Sequence, residues 1–396
     1  MKRRDFLQYS SIVIPTMTMG GALFAAPIES PRFLFVFLRG GYDCANAVIP
    51  YSSPYYYEAR PHIAIAPPDA NATTGALDLD GNWALAPALR NSIGPLFAQH
   101  QLAFIPFAGT DDLSRSHFET QDSIEMGQAV QDHRDFRSGF LGRLASVLTG
   151  SASIAFTDAL PLIFKGKADV PNVSLKGIGK PVFDQRQAAI LTDMYNGHHL
   201  ASAVADGLEL RQHVAQAMED EMREANRGAI TAKGFELEAE RMGKLMRDQY
   251  RIGFIDVGGW DTHVNEGGAQ GSLANNLENL GRGLRGFSQA LGGNWNNTVV
   301  VVVSEFGRTF RENGNSGTDH GHGSVYWVLG GAINGGRIAG EQIVVDRSTL
   351  FQDRDYPVLN DYRAVLSGLF RSVWSLSGDQ LEQIFPGVMP VDLKLV

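Results

Sequence analysis

Residues 298–331 read TVVVVVSEFGRTFRENGNSGTDHGHGSVYWVLGG, and the reading of this stretch decides the fold. Val299 to Val303 are five consecutive valines. A continuous β-branched run suits a strand buried on both faces, as in the middle of a parallel sheet. Polarity then arrives abruptly with Ser304, Glu305, Phe306, Gly307, Arg308 and Thr309. A loop rich in Gly and Asn leads to Asp319, His320 and His322, and Val325 to Leu329 reads as another short strand. Ligands of open α/β sheets bind beyond the carboxyl ends of the strands, where Glu305 is expected. His and Asp in a Gly-rich loop are common ingredients of metal and proton-transfer sites. A solvated loop that happens to hold histidines would explain the loop alone, so the rest of the chain has to decide.

Working outward, Ile252 to Val257 is a second apolar strand, closed by Gly258-Gly259-Trp260-Asp261-Thr262-His263. Leu273, Leu277, Leu280, Leu284, Phe287 and Leu291 then recur at alternating spacings of four and three, one apolar stripe of an amphipathic helix. This helix returns the chain to the valine strand and completes a β-α-β unit. Such crossovers make neighbouring or near-neighbouring parallel strands. Asp261 and His263 should therefore emerge on the same sheet edge as Glu305. Phe33 to Leu38 and Leu102 to Phe107 add two more strands. The first ends in Arg39-Gly40-Gly41-Tyr42-Asp43, and the second leads to Ser114-Arg115-Ser116-His117 at a helix entry. Either serine suits a capping role, and a helix N-terminus also favours an anion.

The amino terminus carries a different signal. Lys2-Arg3-Arg4-Asp5-Phe6-Leu7 precedes a mildly apolar stretch from Ile12 to Phe24, then Ala25-Ala26-Pro27. These are the charged, apolar and small-residue parts of an export signal. Arg3-Arg4 resembles the twin-arginine type, which implies a signal over residues 1–26, the twin-arginine export machinery as a partner, and a periplasmic or secreted product. Pro15, Gly20 and Gly21 make the apolar part too short and too polar for a transmembrane helix, so no stable membrane span is expected after processing. Residues 27–396 then form the folded domain, with a charged helical insertion around 189–250.

A net charge of −9 argues against nucleic-acid binding, which needs a basic surface. A small anionic ester is not excluded, because local arginines or a metal can offset the global field. Cys44 is the single cysteine, so a metal site has to use His, Asp and Glu. Strand ends and loops supply Arg39, Asp43, Ser114, Ser116, His117, Asp261, His263, Glu305, Arg308, Asp319, His320 and His322. Imidazoles mixed with carboxylates suit a divalent ion, Zn²⁺ first, with Ca²⁺ or Mn²⁺ as alternatives. A nearby hydroxyl could attack phosphorus or sulfur while the metal and the arginines hold the oxygens.

Taken together, FLRGGYDCAN, SRSHFETQD, GGWDTH, VVSEFGRT and GTDHGHGSVYWVLGG resemble the bacterial domain-of-unknown-function family 1501 over nearly the whole chain. That family is similar in fold to the alkaline phosphatase and sulfatase superfamily. The resemblance implies a three-layer α/β fold with a mostly parallel central sheet flanked by helices. It implies an exported metal-dependent hydrolase of phosphate or sulfate esters, or else a non-catalytic binding or assembly protein that retains the fold. Carried over by position, Ser116 or Ser114 matches the nucleophile region, with His117, Arg39 and Arg308 beside it. Asp261 and His263 match a late ligand pair, and His320 or His322 the last ligand. Asp43, Glu305 and Asp319 complete the expected metal set. The chain departs from the superfamily at Phe306, where a ligand is usual, and at Arg39, where an Asp is usual. These departures point to a single-metal site or a reworked pocket.

Overall fold

A computed structural model describes residues 30–69, 74–132, 134–173 and 227–396. The expected signal over 1–26 and most of the expected insertion around 189–250 lie outside the described residues. Five elements position the site. Strand β1 spans Arg32–Leu38, β2 Leu102–Gly109, β4 Ile252–Gly258, β5 Thr298–Ser304 and β6 Ser324–Leu329. Between β2 and β4 lie helix α1 (His117–Met126), helix α2 (Phe140–Val147), strand β3 (Ser153–Ala155) and helix α3 (Ala232–Asp248). Helix α4 (Ser272–Leu291) connects β4 to β5. After β6 come the short β7 (Arg337–Ile338) and helices α5 (Tyr362–Trp374) and α6 (Gly378–Ile384).

The main sheet runs β7-β2-β6-β5-β1-β4-β3. β1 lies parallel to both β4 and β5, so the β4-α4-β5 crossover joins near neighbours with β1 between them. Only β6 in this row runs against its neighbours β5 and β2. The reason is local: the segment between β5 and β6 carries no crossover helix, so the chain turns back rather than crossing over.

β1 shows why the sheet has helices on both faces. Leu34, Val36 and Leu38 join one buried apolar cluster, while Phe33, Phe35 and Phe37 join another. A strand buried on both faces needs cover on both. On the first face, Leu273, Leu277, Leu280, Leu284, Phe287 and Leu291 of α4 are all buried, and α4 packs on α3. On the second, α2, α5 and α6 contribute Phe140, Leu141, Tyr362, Phe370 and Ile384. The protein is thus a mixed α/β fold with a mostly parallel central sheet flanked by helices. Register aligns the strand ends: Leu38 pairs with both Val257 and Ser304. The segments leaving these three strands therefore emerge along one edge.

Candidate metal centre

Five pieces of chain meet at that edge. β1 delivers Gly40, the turn after β4 delivers Asp261 and His263, and β5 delivers Glu305. His117 enters as the first residue of α1, and the loop before β6 brings His320. Gly40 has φ of +121°, and a Cβ there would lie 2.7 Å from the Asp261 nitrogen. Only glycine fits this close approach. Its N–H donates to Glu305 Oε1 at 2.8 Å, tying β1 to β5 at the floor of the site.

Three imidazoles converge on the Asp261 carboxylate. His117 Nε2 and His320 Nε2 are 3.0 Å apart, and His263 Nε2 and His320 Nε2 are 3.1 Å apart. Asp261 Oδ1 lies 2.9 Å from His263 Nε2 and 3.2 Å from His320 Nε2, and its Oδ2 lies 3.7 Å from His117 Nε2. The other ring nitrogens all face groups that can only accept. His117 Nδ1 donates to Glu305 at 2.8 Å, His263 Nδ1 to Asp319 at 3.2 Å, and His320 Nδ1 to the Arg115 carbonyl at 3.1 Å. With its proton on Nδ1, each neutral ring turns a lone pair on Nε2 inward.

Lone pairs 3.0 Å apart repel unless something positive stands between them. A proton can serve one pair, and a metal ion can serve all of them. Ligands about 2.0–2.1 Å from a tetrahedral Zn²⁺ lie roughly 3.3 Å from one another, close to the separations seen here. The groups behind the rings also fit, since metal-binding imidazoles usually donate their other N–H to a carboxylate or carbonyl. His117, Asp261 and His320 each place one ligand atom within 4.8 Å of the other two. Beside this group His263 adds a third nitrogen at the exposed side, where it is 31% accessible.

The electrostatics agree. Burial pulls the His117 pKa down, but hydrogen bonds to Asp261 and Glu305 more than offset it and hold the value at about 9. Its bond to Asp261 raises His263 as well, against burial. Burial pushes Asp261 up, yet His117, His263, His320 and the Arg308 charge hold it far below the usual carboxylate range. Burial likewise pushes Glu305 up, and the bonds from His117 and Gln121 bring it down to about 2. The space between these groups favours positive charge.

The structure reassigns several residues. Glu305 was expected as a ligand, but it is wholly buried and accepts from Gly40, His117 and Gln121 on one oxygen and Ser304 on the other. It stands behind His117 rather than beside it. His117, expected to steady charge, joins Asp261 and His320 in the cluster. Asp319 likewise backs His263 through Oδ1. Asp43 is not in the cluster. It is buried against the Arg60 guanidinium, with a 2.9 Å bond from Arg60 Nη2, because a carboxylate removed from water needs a counter-charge.

Arg39 and Arg308 were expected to face substrate oxygens. Arg39 is buried and bonds Asp256, Gln121 and Glu125. Arg308 is buried and holds Asp261 Oδ1 at 2.6 Å and the Thr318 carbonyl at 2.6 Å. Each guanidinium is committed to the protein. His322 is also outside the cluster. It packs on the Phe351 ring at 5.1 Å, and burial lowers its pKa. His320, two residues earlier, is in the cluster instead.

Ser116 sits at the N-cap of α1, but its side chain makes no capping bond. The Ser114 hydroxyl accepts from the Ser116 N–H at 3.2 Å. Arg115, between them, has φ of +52°, a costly conformation for a non-glycine residue. Its guanidinium is anchored on Asp355 at 2.7 Å. Gln121, Glu125 and Asp256 were not expected as parts of the site's support. A signal existed: His117, Gln121 and Glu125 are spaced by four, so they form a polar stripe on one face of α1. All three are buried.

The family described as "Protein of unknown function (DUF1501)" matches residues 30–385. Among curated proteins no sequence matches. Similar solved structures include a protein in the alkaline phosphatase superfamily from Vibrio parahaemolyticus, at 10% identity and a TM-score of 0.37, covering 76% of this chain and 60% of that one. The lipoteichoic acid synthase LtaP from Listeria monocytogenes gives 8% identity and 0.41, covering 92% and 76%. A 2-O GAG sulfatase gives 10% and 0.36, covering 88% and 71%.

Proposed function

The chain belongs to the DUF1501 family, and we propose that it is a metal-dependent hydrolase of phosphate or sulfate esters. His117, His263, His320 and Asp261 would hold one divalent ion, Zn²⁺ first and Ca²⁺ or Mn²⁺ as alternatives. The observation that carries this reading is the convergence of three Nε2 atoms whose Nδ1 partners can only accept. When bound, the ion supplies a Lewis acid for the oxygens of the ester.

The chain's own residues do the rest. Glu305 keeps the His117 proton on Nδ1, Arg308 fixes the Asp261 carboxylate, and Phe306 lies 4.9 Å from the His117 ring and 5.1 Å from His320, limiting their tilt. Ser116, adjacent to His117 and free of a capping bond, is our candidate nucleophile, with Ser114 second. One observation favours a non-catalytic binding or assembly protein instead: the arginines that would steady a transition state are buried and paired.

One experiment separates the readings. Protein purified without chelator is analysed for metal and assayed on a panel of aryl phosphates and aryl sulfates. The hydrolase carries about one ion per chain and loses turnover, but not metal, in Ser116→Ala. A binding protein keeps the ion and turns over nothing. A folded protein without bound metal would overturn the metal site itself.

We also propose export by the twin-arginine route. Among the described residues no helix is long and apolar enough to cross a membrane. Changing Arg3 and Arg4 to Lys should leave full-length precursor in the cytoplasm, and normal periplasmic accumulation would refute the route.

A further inference from the structure

The metal ligand His117 is not aimed by Glu305 alone. Behind the carboxylate, Gln121 donates from Nε2 to Glu305 Oε1 at 2.9 Å and accepts on Oε1 from Arg39 Nη1 at 2.8 Å. Arg39 continues to Asp256 at 2.7 Å and to Glu125 at 2.8 Å. Arg39, Gln121, Glu125 and Glu305 are all at most 2% exposed, so water does not compete for these bonds.

The direction of every link is fixed. A guanidinium has donors and no acceptor, so the Gln121 oxygen has to face Arg39. Its NH₂ then has to face Glu305. With the Gly40 N–H, the same Glu305 oxygen meets two donors before His117 arrives, and it can offer the ring nothing but a lone pair. His117 Nδ1 is therefore the third donor, and its Nε2 is left bare toward His320 and Asp261. Reversing the Gln121 amide would set NH₂ against a guanidinium and oxygen against a carboxylate, two buried mismatches at once. The spacing serves this. Residues 117, 121 and 125 lie on one face of α1, which lets a single helix carry the ring, the amide and the second Arg39 partner.

We propose that Gln121 is a positioning residue, polarised by Arg39, that sets which nitrogen of His117 meets the metal. The proposal rests on the metal-site reading above. Metal-bound imidazoles commonly lean on one supporting group, and loss of such support weakens binding about 10–100-fold. Gln121 acts one bond further out, so the lower end, roughly 10-fold, is expected.

The test uses Co²⁺ and Zn²⁺ with the whole protein. A Co²⁺-bound imidazole ligated through Nε2 gives one strongly shifted, exchangeable Nδ1–H proton signal. Wild type should give one for each ligating histidine, including a slowly exchanging one from His117. Gln121→Met, close in volume but with neither donor nor acceptor, should speed exchange of the His117 signal and weaken Zn²⁺ about 10-fold while the others stay. Gln121→Asn keeps both amide groups but is one methylene too short to reach Arg39 and Glu305 together. It carries the same expectation if the Met variant fails to fold. Unchanged exchange and Zn²⁺ affinity in a folded variant would overturn the positioning role alone. A wild-type protein with no shifted signals would overturn it together with the metal site.

Discussion

Replacing Glu305 by glutamine separates two roles that residue type alone confuses, that of a ligand and that of the group aiming one. Glu305 Oε1 accepts from the Gly40 N–H at 2.8 Å, His117 Nδ1 at 2.8 Å and Gln121 Nε2 at 2.9 Å. A glutamine can keep its oxygen in that place. Its NH₂ then meets Ser304 Oγ, 3.0 Å from the other carboxylate oxygen, while the Ser304 proton goes to the Leu38 carbonyl at 2.7 Å. No buried group is stranded, so the fold should survive, and what disappears is one negative charge behind His117. Removing a group that supports a metal-binding imidazole weakens metal binding about 10–100-fold, or about 1.4–2.7 kcal/mol. Asp261→Asn, which alters a group inside the cluster, should cost more. The assay is Zn²⁺ affinity by competition with a chromogenic chelator, read beside the melting temperature. A folded Glu305→Gln that binds no metal would make Glu305 a ligand and refute the assignment. Unchanged affinity would refute its coupling through His117.

The same geometry carries further expectations. The His117 pKa stands at about 9 in the folded chain, above an unfolded value of about 6.5. Its contribution is fully present below about pH 6.5 and is lost as pH rises through about 9, so metal-free protein should melt progressively lower across that window. Zn²⁺ replaces the proton, so the gap in melting temperature between loaded and metal-free protein should widen with pH, and a narrowing gap would refute the site. His322→Ala should lower stability by about 0.5–3 kcal/mol and leave metal content unchanged, whereas metal loss in a folded variant would return His322 to the ligand set. Inorganic phosphate should bind the Zn²⁺-loaded protein and not the metal-free one, measured by calorimetry. Equal binding to both would show that protein groups alone hold the anion.

Much of the fold was legible because its signals are local and repetitive. The valine run of β5, the Phe and Leu alternation of β1 and the stripe of α4 each reflect one period and one burial pattern. The crossover rule alone was enough to send Asp261, His263 and Glu305 off the sheet on one edge. What the sequence could not reveal was the second partner of each charged side chain. Asp43 looked like a ligand because it lies just after a strand, yet Arg60, seventeen positions on, reaches it from another turn. Arg39 and Arg308 looked like anion binders for the same reason. Their partners Asp256 and Asp261 arrive from β4 and the turn after it, more than forty residues away from either arginine in the chain. His117 was visible, but its role depends on which ring nitrogen Glu305 takes, a matter of geometry and not of residue type.

That redistribution of charge changes how the proposed chemistry has to work. With neutral imidazoles, Asp261, Glu305 and Asp319 set three negative charges against the single positive charge of Arg308, a sum of −2 around the cluster. An anionic ester approaching this set meets repulsion. Neither buried arginine can turn outward to relieve it without stranding a carboxylate that has no water to replace the lost partner. A divalent ion held by His117, His263, His320 and Asp261 would bring the local sum to zero, and His263 and His320 leave that set part-exposed. In the proposed function the ion would therefore supply the pull on the substrate. The arginines act inward, holding Asp261 and the His117 support in the one arrangement that can receive it.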